Sequence, residues 1–153
     1  MRKPLFFLFL LCIGSIANAQ LVYPYDDIKL EKPSDYIATE PMALSAATFL
    51  LTTPFAENDE KRVGALRFVS NWMIGAKTYS FYMQGTVQEL REDMNLLQIY
   101  IAAMTKYSLE NKAAAANPLT VEMNAAKMVI AYCDDAKNNL KLKKKYRKIL
   151  DKK

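Results

Sequence analysis

Apolar positions recur at helical spacing along most of the chain, and no stretch alternates in the two-residue period of a strand. The clearest stripe is Ala65, Phe68, Val69, Trp72, Met73 and Ala76, which predicts one buried helix face. This helix should begin near Asn58, with Asp59 and Glu60 in its first turn, where carboxylates favour the helix dipole. A longer pattern follows through Val87, Leu90, Met94, Leu97, Ile101 and Met104, with a second stripe of Leu96, Tyr100, Ala103 and Tyr107. Apolar residues on two flanks predict a central helix with neighbours on both sides. Thr86 and Glu89 before that run have the spacing of a capping box.

Two weaker patterns complete the set. Pro41 to about Leu51 predicts a helix capped by Thr39, with Met42, Ala46, Phe49 and Leu50 on one face, ended by Thr52-Thr53-Pro54. From Pro118, the positions Val121, Ala125, Met128, Val129, Tyr132, Cys133 and Ala136 predict a last long helix. Its period continues weakly through Leu142, Tyr146, Ile149 and Leu150. The expected architecture is all-α, a small four- to five-helix bundle. Gly75 predicts a break or a close helix crossing, because glycine inside a helix costs about 1 kcal/mol relative to alanine.

The organisation before residue 41 differs. Arg2 and Lys3, the apolar run Leu5–Ile13 and Ala17-Asn18-Ala19 together have the pattern of an export signal cut after Ala19, the alternative being an uncleaved anchor. The apolar run is short for a membrane span. Leu11 precedes Cys12 where a lipid-modified cysteine needs a small residue, which argues against a lipoprotein. Residues 20–40 carry Pro24 and Pro33 and no helical period, so they read as an extended arm. With Tyr23, Tyr25, Ile28, Leu30, Tyr36 and Ile37, that arm either packs across the domain or binds a partner. The expected divisions are therefore a signal peptide over 1–19, an arm over 20–40 and a helical domain over 41–153, in the periplasm or secreted.

Composition narrows the chemistry. The chain has 153 residues, 52% of them hydrophobic, enough for one folded domain after the signal is removed. It has no histidine, so the commonest general base and the commonest metal ligand are missing. Without the signal, Cys133 is the one cysteine left, which excludes an internal disulfide and leaves either a core thiol or a bond to another chain. No metal-ligand spacing, glycine-rich phosphate loop, Gly-x-Ser-x-Gly elbow or haem-attachment motif is present. No cofactor is expected. The pairs Ser70/Lys77 and Lys106/Ser108 permit Ser/Lys chemistry by composition, but no motif surrounds them. The neighbouring carboxylates Glu92/Asp93 and Asp134/Asp135 diverge by about 100° on a helix and do not converge on a substrate.

Charge is uneven. Residues 137–153 carry nine basic side chains against Asp151, a net +8, whereas residues 20–136 are net −5. Lys141, Lys143, Lys144, Lys145, Arg147 and Lys148 are therefore either a solvated basic tail or a docking patch for an acidic protein or an anionic membrane. Nucleic acid is not an expected partner, because the exported compartment offers little of it. Trp72, Tyr79, Phe81 and Tyr82 form an aromatic cluster that either packs between helices or lines a pocket.

Phe49-Leu50, the run Arg67–Gly75 and Ala131-Tyr132-Cys133 before a lysine-rich end resemble the HdeA-type small periplasmic helical family over about residues 43–145. The resemblance implies an acid-stress chaperone or an immunity protein that neutralises secreted amidases. In that family a cysteine of the first helix pairs with one of the last. Cys133 stands at the last position, while Ser45, Ala46 and Ala47 stand at the first. Protonation of the 16 carboxylates would also raise the net charge strongly and loosen a small bundle. Taken together, the sequence leads to a non-enzymatic protein-binding domain with a dedicated partner. A stress holdase and a small-ligand or lipid binder are the alternatives.

Overall fold

The computed structural model describes Tyr25 and residues 27–153, so the proposed signal peptide and residues 20–24 of the arm lie outside the described residues. The fold is all-α. Among the described residues seven α-helices occur in the order α1 (Pro33–Ala38), α2 (Glu40–Thr52), α3 (Glu60–Gly75), α4 (Thr86–Leu90), α5 (Met94–Glu110), α6 (Pro118–Asp134) and α7 (Lys144–Leu150). Short 3₁₀ turns lie at Ala114–Ala116 and Ala136–Asn138.

Helix α5 is the centre, as its two apolar flanks require. One side packs on α2 and α3 and the other on α6, with α4 and α7 closing the far end. Leu97, Tyr100 and Met104 join Val121, Ala125, Val129 and Tyr132 of α6 and Tyr146 and Leu150 of α7 in one core. Ala102 and Leu109 face a second core, built on Ala43, Ala46, Ala47 and Leu50 of α2 and Ala65, Phe68, Val69 and Trp72 of α3. Each large apolar side chain fully buried this way contributes about 1.5–3 kcal/mol. The alanine run of α2 lets its backbone approach its neighbours closely.

The helical face Ala65 to Ala76 is buried at every expected position. Asp59 is the N-cap of α3, accepting from the Arg62 amide at 2.8 Å, rather than a residue of its first turn.

Several expectations need correction. The arm is not wholly extended, because residues 33–38 form α1, with Pro33 at its start. Asp35 accepts backbone N–H bonds from Glu31 and Lys32, and these bonds hold its carboxyl below the usual range. The buried face of α2 is Ala43, Ala46, Ala47 and Leu50, with Met42 and Phe49 half-buried. The pattern beginning at Val87 is two helices, since Asp93 caps a new start by accepting from the Leu96 amide. Met94 falls at that start and is exposed. Thr86 does not cap either. Gly85 is the N-cap of α4, at φ +58°, a conformation that favours glycine. The Thr86 hydroxyl instead donates to the buried Glu122 carboxylate at 2.5 Å, and Lys153 pairs with the same oxygen at 3.1 Å. Cys133 is a free thiol, half-buried rather than central to the core. Its neighbour on the expected face, Ala136, is exposed in a 3₁₀ turn.

Candidate functional site

Helix α3 ends at Gly75, and the chain turns there for a steric reason. A Cβ at Gly75 would fall inside the ring of Tyr36, so glycine is what allows α1 to lie against the end of α3. Tyr36 is fixed on both sides: its hydroxyl donates to the Leu30 carbonyl at 3.0 Å, and its own carbonyl accepts the Trp72 indole N–H at 2.9 Å. Beyond Gly75 the chain runs without regular structure to Gln84.

This segment folds back over α3 and α5 and encloses an apolar cleft of about 570 Å³. Met73 and Ala76, both buried, and the half-buried Ile101 form its deep part. Tyr79 and Phe81 contribute aromatic walls. Ile74, 81% exposed, and Met83, 45% exposed, stand at its edge.

The aromatic cluster expected from sequence is thus divided. Trp72 is fully buried and supports the cleft from behind, with ring centroids 5.5 Å from Tyr79 and 6.4 Å from Phe81. Tyr79 and Phe81 line the cleft, and Tyr82 is exposed beside it without lining it. The Tyr79 hydroxyl is engaged elsewhere. It donates to Glu40 at 2.8 Å, and Lys112 pairs with that same carboxylate. Burial, reinforced by the bond to Glu40, pushes the Tyr79 phenol above its usual range. Tyr79 therefore offers the cleft carbon surface and no acidic proton.

Two polar side chains remain in the lining, Ser70 and Lys77. Among the described residues, neither side chain makes a hydrogen bond or an ion pair. Among the described residues no hydrogen bond joins them to one another. Gly75 was expected to mark a break or a close helix crossing and does both, whereas the roles of Met83 and Ile101 were not visible in the sequence. Met83 lies on a segment without period, and Ile101 reads as an ordinary core position of α5.

The basic end behaves differently from a free tail. Helix α7 is docked by Tyr146 and Leu150, both buried. Lys143 pairs with Asp93 at 2.9 Å and Lys145 with Glu92 at 2.8 Å, and Arg147 pairs with Asp134. Glu92 and Asp93 lie in the turn before α5, and Asp134 and Asp135 at the end of α6, so neither pair sits within one helix as the sequence suggested; the members of each pair nevertheless serve different cations. Lys145 also lies over the Tyr146 ring, 4.5 Å from its centroid. The Glu92 carboxylate and the Tyr146 hydroxyl raise its pKa to about 12. Lys141, Lys144, Lys148 and Lys152 make no ion pair among the described residues.

Among the described residues, no three His, Cys, Asp or Glu side chains are grouped closely enough to hold a metal ion, and no helix is long and apolar enough to cross a membrane. Cys133 lines a second pocket with Asp134, Asp135 and Lys141. Burial and then the Asp134 charge push its thiol up to about 11, which suppresses the nucleophilic thiolate at neutral pH. In comparisons with known proteins, the chain matches no family model, no curated protein and no solved structure.

Proposed function

We propose that this protein is a non-enzymatic binding domain and that it holds an apolar ligand in the cleft between the end of α3, the segment after it and α5. The observation that carries this reading is the cleft itself. Its volume falls within the range of about 300–1,000 Å³ usual for small-molecule sites, and its lining is apolar and aromatic with two polar groups. Methionines at Met73 and Met83 give it adaptable walls. A binding role also agrees with a lining that holds no acid–base pair.

A dedicated protein partner would use the same cleft by inserting an apolar side chain. A holdase needs broad apolar surface, whereas the exposed Ile37, Val63, Met94 and Leu119 come from four different helices, and the other exposed large apolar residues, Ile74, Tyr82 and Met83, lie at or beside the cleft. The test is titration of the delipidated protein with the neutral apolar dye N-phenylnaphthylamine. Saturable binding at one site, lost in Ile74→Asp, is the expected result. Trp72, the one tryptophan of the chain, should change its emission as the site fills. Absence of saturable binding would exclude the cleft as a ligand site.

A second reading rests on the unpaired Lys141, Lys144, Lys148 and Lys152. They could attract an anionic bilayer with about 1 kcal/mol each. Co-sedimentation with phosphatidylglycerol vesicles but not phosphatidylcholine vesicles, lost in Lys144→Glu/Lys148→Glu, checks it.

A further inference from the structure

We infer that the ligand is a single-chain amphiphile with an anionic head, its tail in the cleft and its head on Lys77 and Ser70; this rests on the reading of the cleft as a ligand site. The argument begins with what the cleft lacks. None of its lining residues is acidic, so nothing neutralises Lys77 from within. The other element packed against Lys77 is the groove beside α1, where Glu31 and Lys32 both line the wall. They bring one charge of each sign to that wall, and no ion pair joins either to Lys77. The cation at the mouth therefore has no ion-pair partner among the described residues.

Its position is also set. Lys77 follows the turn that Gly75 permits, and its amide donates to the Gly75 carbonyl at 2.9 Å. The side chain thus starts from a fixed backbone point where the cleft meets the α1 groove. A lysine with no partner on an apolar wall matches an anion whose tail continues along that wall, because an ammonium donates up to three hydrogen bonds and accepts none. Ser70 adds one hydroxyl that can donate to the same head. Tyr79 is held by Glu40 and cannot compete for it. A cationic head would face repulsion from Lys77, and a neutral head would gain only the hydroxyl. A phosphate-headed and a carboxylate-headed chain share the required chemistry.

The experiment compares ligands of one tail, read by Trp72 emission and by displacement of N-phenylnaphthylamine from the full protein. Laurate should bind at least tenfold more tightly than dodecanol, and dodecylamine most weakly. Dodecyl phosphate run beside laurate separates a carboxylate from a phosphate source. Lys77→Gln should weaken laurate about tenfold and leave dodecanol unchanged. Equal binding of laurate and dodecanol, or a Lys77→Gln variant with unchanged preference, overturns the assignment of the head while the apolar cleft stands. Failure of the neutral dye and of every chain to bind overturns the cleft reading as well.

Discussion

Arg62 and Lys77 are cations at opposite ends of α3, and they meet the apolar interior in opposite ways. Arg62 is 4% exposed. Its guanidinium donates to the Leu50 carbonyl at 3.0 Å and to the Thr53 hydroxyl and carbonyl at 2.8 and 3.2 Å. It also stacks over Phe55 at 5.3 Å. Among the described residues no carboxylate pairs with it. The free carbonyls at the C-terminus of α2, which carry the negative end of its dipole, take that role. Arg62 therefore joins α3 to the end of α2. Tyr132 reaches the same point from α6, donating to the Thr53 carbonyl at 2.8 Å. Lys77 stands on apolar surface with none of these oxygens near it. The first cation is consumed by the fold, and the second is left for something outside it.

Substitutions separate these two roles, and the largest effect belongs at Arg62. Arg62→Leu should lower stability by about 3 kcal/mol, because the buried Leu50 carbonyl and the Thr53 hydroxyl lose their donor together, while the Thr53 carbonyl keeps the Tyr132 hydroxyl. Urea unfolding measures it, and a loss below about 1 kcal/mol would mean that water replaces the guanidinium. Glu122→Ala tests the other buried charge. It strands the Thr86 hydroxyl and Lys153, with an expected loss of about 2 kcal/mol. Gly75→Ala should displace the Tyr36 ring, at a cost of about 1 kcal/mol for the lost bond to Leu30, and should shift Trp72 emission. Lys77→Gln should change stability by less than about 0.5 kcal/mol, as expected of a surface side chain with no partner. A clear loss of stability there would erase the contrast with Arg62.

The smallest effect at neutral pH concerns Cys133. Its thiol ionises at 9.0 in the ordinary case and at about 11 in the fold. Below 9.0 both folded and unfolded thiols are protonated, and stability is unaffected. Between 9.0 and about 11 the unfolded thiol ionises first, so stability falls as pH rises. Alkylation of folded Cys133 should keep accelerating up to about pH 11, while alkylation in urea levels off near 9.0. Identical profiles in the two states would place the thiol in water.

Much of the fold was legible along the chain. The stripe from Ala65 to Ala76, the two-sided α5 and the apolar face of α6 follow from period alone, because each buries a continuous face. The break between α4 and α5 was not legible, since the apolar spacing runs through it and the Asp93 cap reads as one more acidic residue. Thr86 shows the same limit from the other side: its spacing to Glu89 suits a capping box, but Glu122, 36 residues away, offers its hydroxyl a buried charged acceptor. Of the candidate site residues, Tyr79 and Phe81 do line the cleft, and Trp72 belongs to the core behind them. Half of the six basic residues singled out near the C-terminus, Lys143, Lys145 and Arg147, turned out to be paired at home.

The sequence by itself determined the helical class, the central place of α5 and the absence of histidine chemistry, because period and composition are local properties. Only the tertiary structure decided which charges are spent inside. Pairing depends on groups far apart in the chain, such as Lys143 with Asp93 or Arg62 with the end of α2. It also decided that the segment after Gly75 and Ile101 of α5 line one cleft, because that cleft joins side chains far apart in the chain, just as the approach of Tyr36 to Gly75 does.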